Sequence, residues 1–216
     1  MRKPFTLDLY LVTDRDLSLD RPLRDIVEKA VKGGVTMVQL REKSASTREF
    51  IQEAMEIRHL LRQYDIPLII NDRVDVALAI DADGVHLGQS DMHWKMARQL
   101  LGPDKIIGLS VEKAEQLEEA NDADIDYIGI SPVFTTPTKK ELENGLGLKA
   151  TSEIARNSNH PSVAIGGINL TNVTDVLRTG TNGVSVVSAI CSAEEPEAAA
   201  RQMAEIIKQI KQEAGL

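Results

Sequence analysis

Residues 162–189 read SVAIGGINLTNVTDVLRTGTNGVSVVSA. Two short apolar runs rich in β-branched residues start at Ser162 and Gly183, 21 residues apart, and Gly166-Gly167 closes the first. A strand buried on both faces reads as such a continuous apolar run, without polar alternation. The interval leaves room for one helix before the next parallel strand.

The same unit recurs along the chain. Runs begin at Leu9 (LYLVTD), Val35 (VTMVQL), Pro67 (PLIIN), Asp83 (DGVHL), Lys105 (KIIGLS) and Asp126 (DYIGIS), as well as at Ser162 and Gly183. The mean interval is about 25 residues, the size of a strand–helix repeat. Helical stripes fill the gaps: Phe50, Ala54, Ile57 and Leu61 in one, and Met203, Ile206, Ile207 and Ile210 in the last. Eight strand–helix units predict an α/β fold, a TIM (β/α)8 barrel, as a single domain over residues 1–216. The alternative is an open doubly wound sheet. It calls for a glycine-rich loop after the first strand, where this chain has Thr13-Asp14-Arg15-Asp16.

Composition narrows the function. The 216 residues carry 25 Lys and Arg against 33 Asp and Glu, a net charge of -8. Nucleic-acid partners are not expected of so acidic a chain. No apolar run approaches the ~18 residues of a membrane span, and Asp8 and Asp14 interrupt any apolar stretch behind Met1-Arg2-Lys3. A cytoplasmic protein without signal peptide or membrane contact is expected, and a homo-oligomer is compatible with the composition. Cys191 is the single cysteine, which excludes an internal disulfide and a cysteine zinc site.

In a barrel of this kind chemistry collects at the C-terminal ends of the strands. The second run ends Gln39-Leu40-Arg41-Glu42-Lys43. With period two, Gln39, Arg41 and Lys43 share a face, and two cations beside an amide make an anion site. A strand simply ending in solvent is the plain alternative. The third run ends Asn71-Asp72, and Asp91 follows the fourth. Asp72 and Asp91 read either as helix caps or, with the cations beside them, as a pair holding Mg²⁺. By spacing Ser110 is a helix cap. Thr135 to Lys140 reads as a phosphate-binding turn or a solvated one, within a long polar loop from Ser131 to Gly147 that could serve as a lid. Gly166-Gly167 and the end of the eighth run suit a backbone phosphate site. No Cys–His or Ser–His pair is evident in the sequence, and His86 reads as a packed barrel histidine.

Taken in order, YLVTD (Tyr10–Asp14), QLREK (Gln39–Lys43), IINDR (Ile69–Arg73), GVHLGQSD (Gly84–Asp91), DYIGISPVFTTPTKK (Asp126–Lys140), AIGGI (Ala164–Ile168) and GVSVVSAI (Gly183–Ile190) resemble the thiamine phosphate synthase family. The resemblance implies a Mg²⁺-dependent transferase acting on two small phosphorylated heterocycles. It would join hydroxymethylpyrimidine diphosphate to a thiazole phosphate, carboxylated or not, releasing pyrophosphate through a pyrimidine cation. It further implies that Gln39, Leu40, Arg41, Glu42, Lys43, Asn71, Ser110 and Lys139 contact the pyrimidine diphosphate, with Arg41, Lys43, Lys139 and Ser110 in catalysis. Asp72 and Asp91 would hold Mg²⁺, and Thr136, Pro137, Thr138, Gly167, Val187 and Ser188 would bind the thiazole phosphate. Rival readings are a thiazole tautomerase, a sugar-phosphate isomerase and a non-catalytic phosphate-binding barrel. Asp91 within GQSD favours the synthase, because the tautomerase group is not expected to keep the metal carboxylates.

Overall fold

A computed structural model describes residues 3–135 and 145–215. Among them lie eight strands: β1 (Leu9–Val12), β2 (Met37–Leu40), β3 (Leu68–Asn71), β4 (Gly84–Leu87), β5 (Ile106–Val111), β6 (Tyr127–Ile130), β7 (Ser162–Ile165) and β8 (Gly183–Val186). All pair in parallel and in sequence order, and β1 closes on β8. Each strand falls within a run read from the sequence, or one residue past its end. The closed barrel removes the open-sheet alternative, and closure leaves no unpaired strand edge.

The helices follow the strands: α1 (Leu23–Lys32), α2 (Thr47–Arg62), α3 (Val74–Ala79), α4 (Trp94–Leu101), α5 (Glu115–Asn121), α6 (Gly147–Asn157), α7 (Val173–Leu177), then a short α8 (Ser188–Cys191) and α9 (Pro196–Ala214). The stripe on α2 buries Phe50, Ala54, Ile57, Leu60 and Leu61, and Ser46 with Glu49 forms a capping box at its start. On α9, Met203 and Ile207 are buried, while Ile206 and Ile210 pack partly buried on the core.

Alternation along the strands divides the core in two. Outward residues such as Leu9, Leu11, Val38, Leu40, Leu68 and Ile70 pack under the helices. Inward residues Tyr10, Met37, Ile69, Ile106, Tyr127 and Val163 form a smaller cluster with Leu7. The inward parity then runs up each strand to Gln39, Asn71, His86 and Ser110, which brings polar groups to the upper end of an apolar plug.

Candidate active site

β2 ends at Leu40, so the shared face expected of Gln39, Arg41 and Lys43 does not extend through all three. Gln39 stays inside, 2% exposed, and its amide donates to the Tyr10 hydroxyl over 2.8 Å. Arg41 turns toward β1, with Nη1 2.6 Å from Asp14 Oδ2. Lys43 turns the other way, with Nζ 2.6 Å from Asp72 Oδ2 beyond β3. The two cations therefore flank the end of β2 instead of stacking on it, and each already holds a carboxylate.

Asp14 is itself braced, because its Oδ1 accepts from the amides of Asp16 and Leu17. Glu42, between the two cations, points into neither site. It accepts from the amides of Ser44 and Ala45 and pairs with Arg15 at 2.8 Å. Burial works against its charge, but those amides and the guanidinium outweigh it and hold its carboxyl down at about 2.

Asp72 and Asp91 converge. Each carboxyl group shifts the titration of the other. Burial raises the pKa of Asp91, and the neighbouring Asp72 raises it further. Burial also opposes the charge on Asp72, but the bonds from Asp91 and Lys43 prevail and keep it below its usual range. Neither residue is a helix cap. Asp72 sits at φ 58, in the left-handed region, and α3 is led by Arg73 without a side-chain cap bond. Asp91 Oδ2 accepts from the Gly88 amide at 2.7 Å, and His93 caps α4. Two hard carboxylate oxygens, held close enough to repel unless a proton or cation lies between them, fit Mg²⁺. That ion takes few protein ligands and fills its remaining positions with water and phosphate oxygens. No group of three or more His, Cys, Asp or Glu among the described residues is arranged to hold a metal.

Ser110 corrects the reading from spacing. β5 runs on to Val111 and α5 starts only at Glu115, so Ser110 is a strand residue and not a cap. Its hydroxyl lies 3.0 Å from His86 Nε2. The Ser–His pair absent from the sequence reading therefore exists, brought together by the register of β4 on β5. The other ring nitrogen of His86 meets the Tyr127 hydroxyl, not a carboxylate, and both partners are buried, at 4% and 5% exposure.

Across the barrel, Gly166 and Gly167 take φ values of 105° and 67°. A Cβ on Gly166 would lie 2.7 Å from Pro132 Cβ, and one on Gly167 2.8 Å from Phe134 Cβ, so the turn and the β6 loop leave room only for glycine. Ile165 pairs with Ser185, and Gly167 and Val187 each follow two residues later, past the ends of the adjacent strands β7 and β8. Ser188 opens α8 and is exposed. Thr136, Pro137, Thr138 and Lys139 lie outside the described residues.

Comparison with known proteins decides the family. Residues 9–190 match the sequence model of the family described as thiamine monophosphate synthase. The chain belongs to the thiamine monophosphate synthase family. A thiamine-phosphate synthase from Vibrio campbellii is 53% identical over 195 residues, covering 90% of this chain and 95% of that one. One from Clostridium novyi is 49% identical over 198 residues, 92% of this chain and 97% of the other. The solved thiamine phosphate pyrophosphorylase from Pyrococcus furiosus superposes with a TM-score of 0.87 at 40% identity, covering 94% of this chain and 96% of that chain. The thiamine monophosphate synthase match opens at the first residue of β1 and closes within α8, so it takes in the whole rim.

Five contributors to this thiamine monophosphate synthase rim escape a reading by spacing. Asp14 is quoted in its motif but its hold on Arg41 depends on where β2 ends. Gln89 is likewise quoted in its motif, but the bond from its side-chain amide to the Ser110 carbonyl at 2.6 Å depends on strand register. Tyr10, Tyr127 and His86 share the inward parity of their strands, and that parity was the available clue.

Proposed function

We propose that this chain condenses hydroxymethylpyrimidine diphosphate with a thiazole phosphate to give thiamine phosphate, releasing pyrophosphate. Family membership gives the reaction class, a transferase of thiamine biosynthesis. The observation that carries the rest is the convergence of Lys43, Asp72 and Asp91 beside Arg41 at one rim of the barrel.

Asp72 and Asp91 would hold Mg²⁺, which when bound supplies positive charge to the diphosphate leaving group. Lys43 and Arg41, together with Lys139, bind that diphosphate and stabilise the charge that gathers on it as the bond to the pyrimidine methylene breaks. Asn71, beside Asp72, and the backbone from Leu40 to Glu42 line the same anion. Gln39 and Ser110 hold the aminopyrimidine ring, whose electrons delocalise the resulting cation. The thiazole phosphate is anchored by Gly167, Val187 and Ser188, with Thr136, Pro137 and Thr138, so that its ring nitrogen faces that carbon. No side chain acts as nucleophile in this scheme. Cys191 suits none, since burial pushes its thiol up to about 11.

The test supplies both precursors to the purified protein with Mg²⁺ or with excess chelator. Thiamine phosphate and pyrophosphate should form in equal amounts only with the metal. Product formed at full rate under chelation overturns the metal assignment. Isomerisation of the thiazole without coupling overturns the reaction.

A further inference from the structure

Gln39 on β2 and Ser110 on β5 stand on well-separated staves of the barrel, yet one line of hydrogen bonds joins them. Gln39 Nε2 donates to the Tyr10 hydroxyl at 2.8 Å. The Tyr10 and Tyr127 hydroxyls are 2.9 Å apart. The Tyr127 hydroxyl is 2.9 Å from His86 Nδ1, and His86 Nε2 is 3.0 Å from Ser110 Oγ. Five strands contribute one residue each, and none of the five residues is more than 5% exposed. Buried polar groups keep such partners because a broken link leaves a desolvated donor or acceptor on either side.

Proton counting gives the line a direction. Tyr10 receives a hydrogen from Gln39, so its own hydrogen goes to Tyr127. Tyr127 then donates to Nδ1 of His86. A neutral imidazole with Nδ1 accepting carries its hydrogen on Nε2, and that nitrogen donates to Ser110. The hydroxyl hydrogen of Ser110 is left over, to be given to a ligand. At the other end, the Gln39 carbonyl oxygen is left to accept. Turning the Gln39 amide over would reverse every link and make Ser110 an acceptor.

Space has been cleared for this line. A Cβ on Gly108 would lie 2.6 Å from His86 Nδ1 and collide with the Tyr127 ring, and one on Gly129 would lie 2.9 Å from His86 Cε1. Glycine inside a strand weakens it and marks a close approach. Here Gly108 accommodates both rings, and Gly129 the His86 ring together with Ile165.

We infer that Tyr10, Tyr127 and His86 are positioning residues that fix the hydrogen-bonding sense of Gln39 and Ser110, so that the site reads a ring offering an acceptor nitrogen and an exocyclic amine. This rests on the proposal that Gln39 and Ser110 contact the pyrimidine. The donor sense of Ser110 is then set from within the barrel, by three residues at most 5% exposed.

The experiment begins with Tyr127→Phe, which keeps the ring and deletes the hydroxyl at the centre of the line. Its KM for the pyrimidine diphosphate should rise about tenfold, the equivalent of one lost hydrogen bond, while KM for the thiazole phosphate stays within about twofold. The double variant Tyr127→Phe/Ser110→Ala should be no worse than the poorer single variant, because both act through one group. Multiplying effects, or an unchanged pyrimidine KM in Tyr127→Phe while Ser110→Ala and Gln39→Ala raise it, overturn the positioning role alone. An unchanged pyrimidine KM in Ser110→Ala and Gln39→Ala overturns the contact reading, and the inference with it. Independently of folding in any variant, nitrogen NMR of the intact protein should find His86 protonated at Nε2 and bare at Nδ1. The opposite tautomer overturns the inferred direction.

Discussion

Lys43 Nζ lies 2.6 Å from Asp72 Oδ2, and the Asp91 carboxyl group faces the same pair. The lysine offsets part of the repulsion between two carboxylates, roughly 1–4 kcal/mol in wet surroundings. A divalent cation can take over that task and free Lys43 for the diphosphate. Asp91→Asn removes one charge and keeps the shape. Its turnover should fall by on the order of 10²–10³, and the Mg²⁺ concentration giving half-maximal rate should rise. Steady-state rates over a Mg²⁺ titration check this, and wild-type turnover at low Mg²⁺ would contradict it.

Arg41 depends on Asp14 in a different way. The pair is half-sheltered, with side-chain exposures of 23% and 12%, and Asp14 also accepts from two backbone amides. Asp14→Asn can keep the turn but not the ion pair. It should raise KM for the pyrimidine diphosphate about tenfold, the effect of roughly 1.5 kcal/mol in charge-assisted positioning. Asp14→Ala should show the same KM effect with an added loss of stability, because two amides lose their acceptor. Equal stability of the two variants would separate Asp14 from the turn.

Glu42 gives a pH prediction whose sign is fixed. Its carboxyl titrates at about 2 in the fold against 4.5 in the unfolded chain. A depressed carboxylate adds stability that is fully present above pH 4.5 and is lost as pH falls toward 2. Allowing for solvent screening, the contribution is about 1–2 kcal/mol at pH 7. Urea unfolding of wild type and Glu42→Gln should differ by that amount at pH 7 and converge as pH drops through the window from 4.5 to 2. A gap that persists unchanged at pH 2.5 would rule out Glu42 as its source.

The barrel was legible because its signal repeats. Each strand is a buried apolar run, and the eight runs place one another. Gln39 was legible by parity. Arg41 and Lys43 were not, because parity fails one residue after β2 ends, and neither Asp14 nor Asp72 reveals in sequence which cation it will hold. Ser110 was misread from spacing because β5 continues to Val111, past the point where a helix cap would stand. The Ser110–His86 contact spans 24 residues and arises from strand register, which local patterns do not encode. The mid-strand glycines were visible throughout, but their reason is a pair of rings on neighbouring strands.

Gly108 tests that reason directly. His86 pairs with it on one side and Tyr127 on the other, so a methyl group there has no empty space to enter. Gly108→Ala gains some backbone entropy in its favour, since alanine loses less freedom than glycine on folding. The overlap with His86 and Tyr127 opposes it, and overpacking of a close-packed interior costs about 1–3 kcal/mol. The larger effect wins, so Gly108→Ala should melt roughly 2–10 °C below wild type. Because the displaced rings belong to the line between Gln39 and Ser110, its KM for the pyrimidine diphosphate should rise as well, with KM for the thiazole phosphate unmoved. Calorimetry beside steady-state kinetics checks both. A variant as stable and as tight for pyrimidine as wild type would show that the barrel interior has slack where these distances allow none.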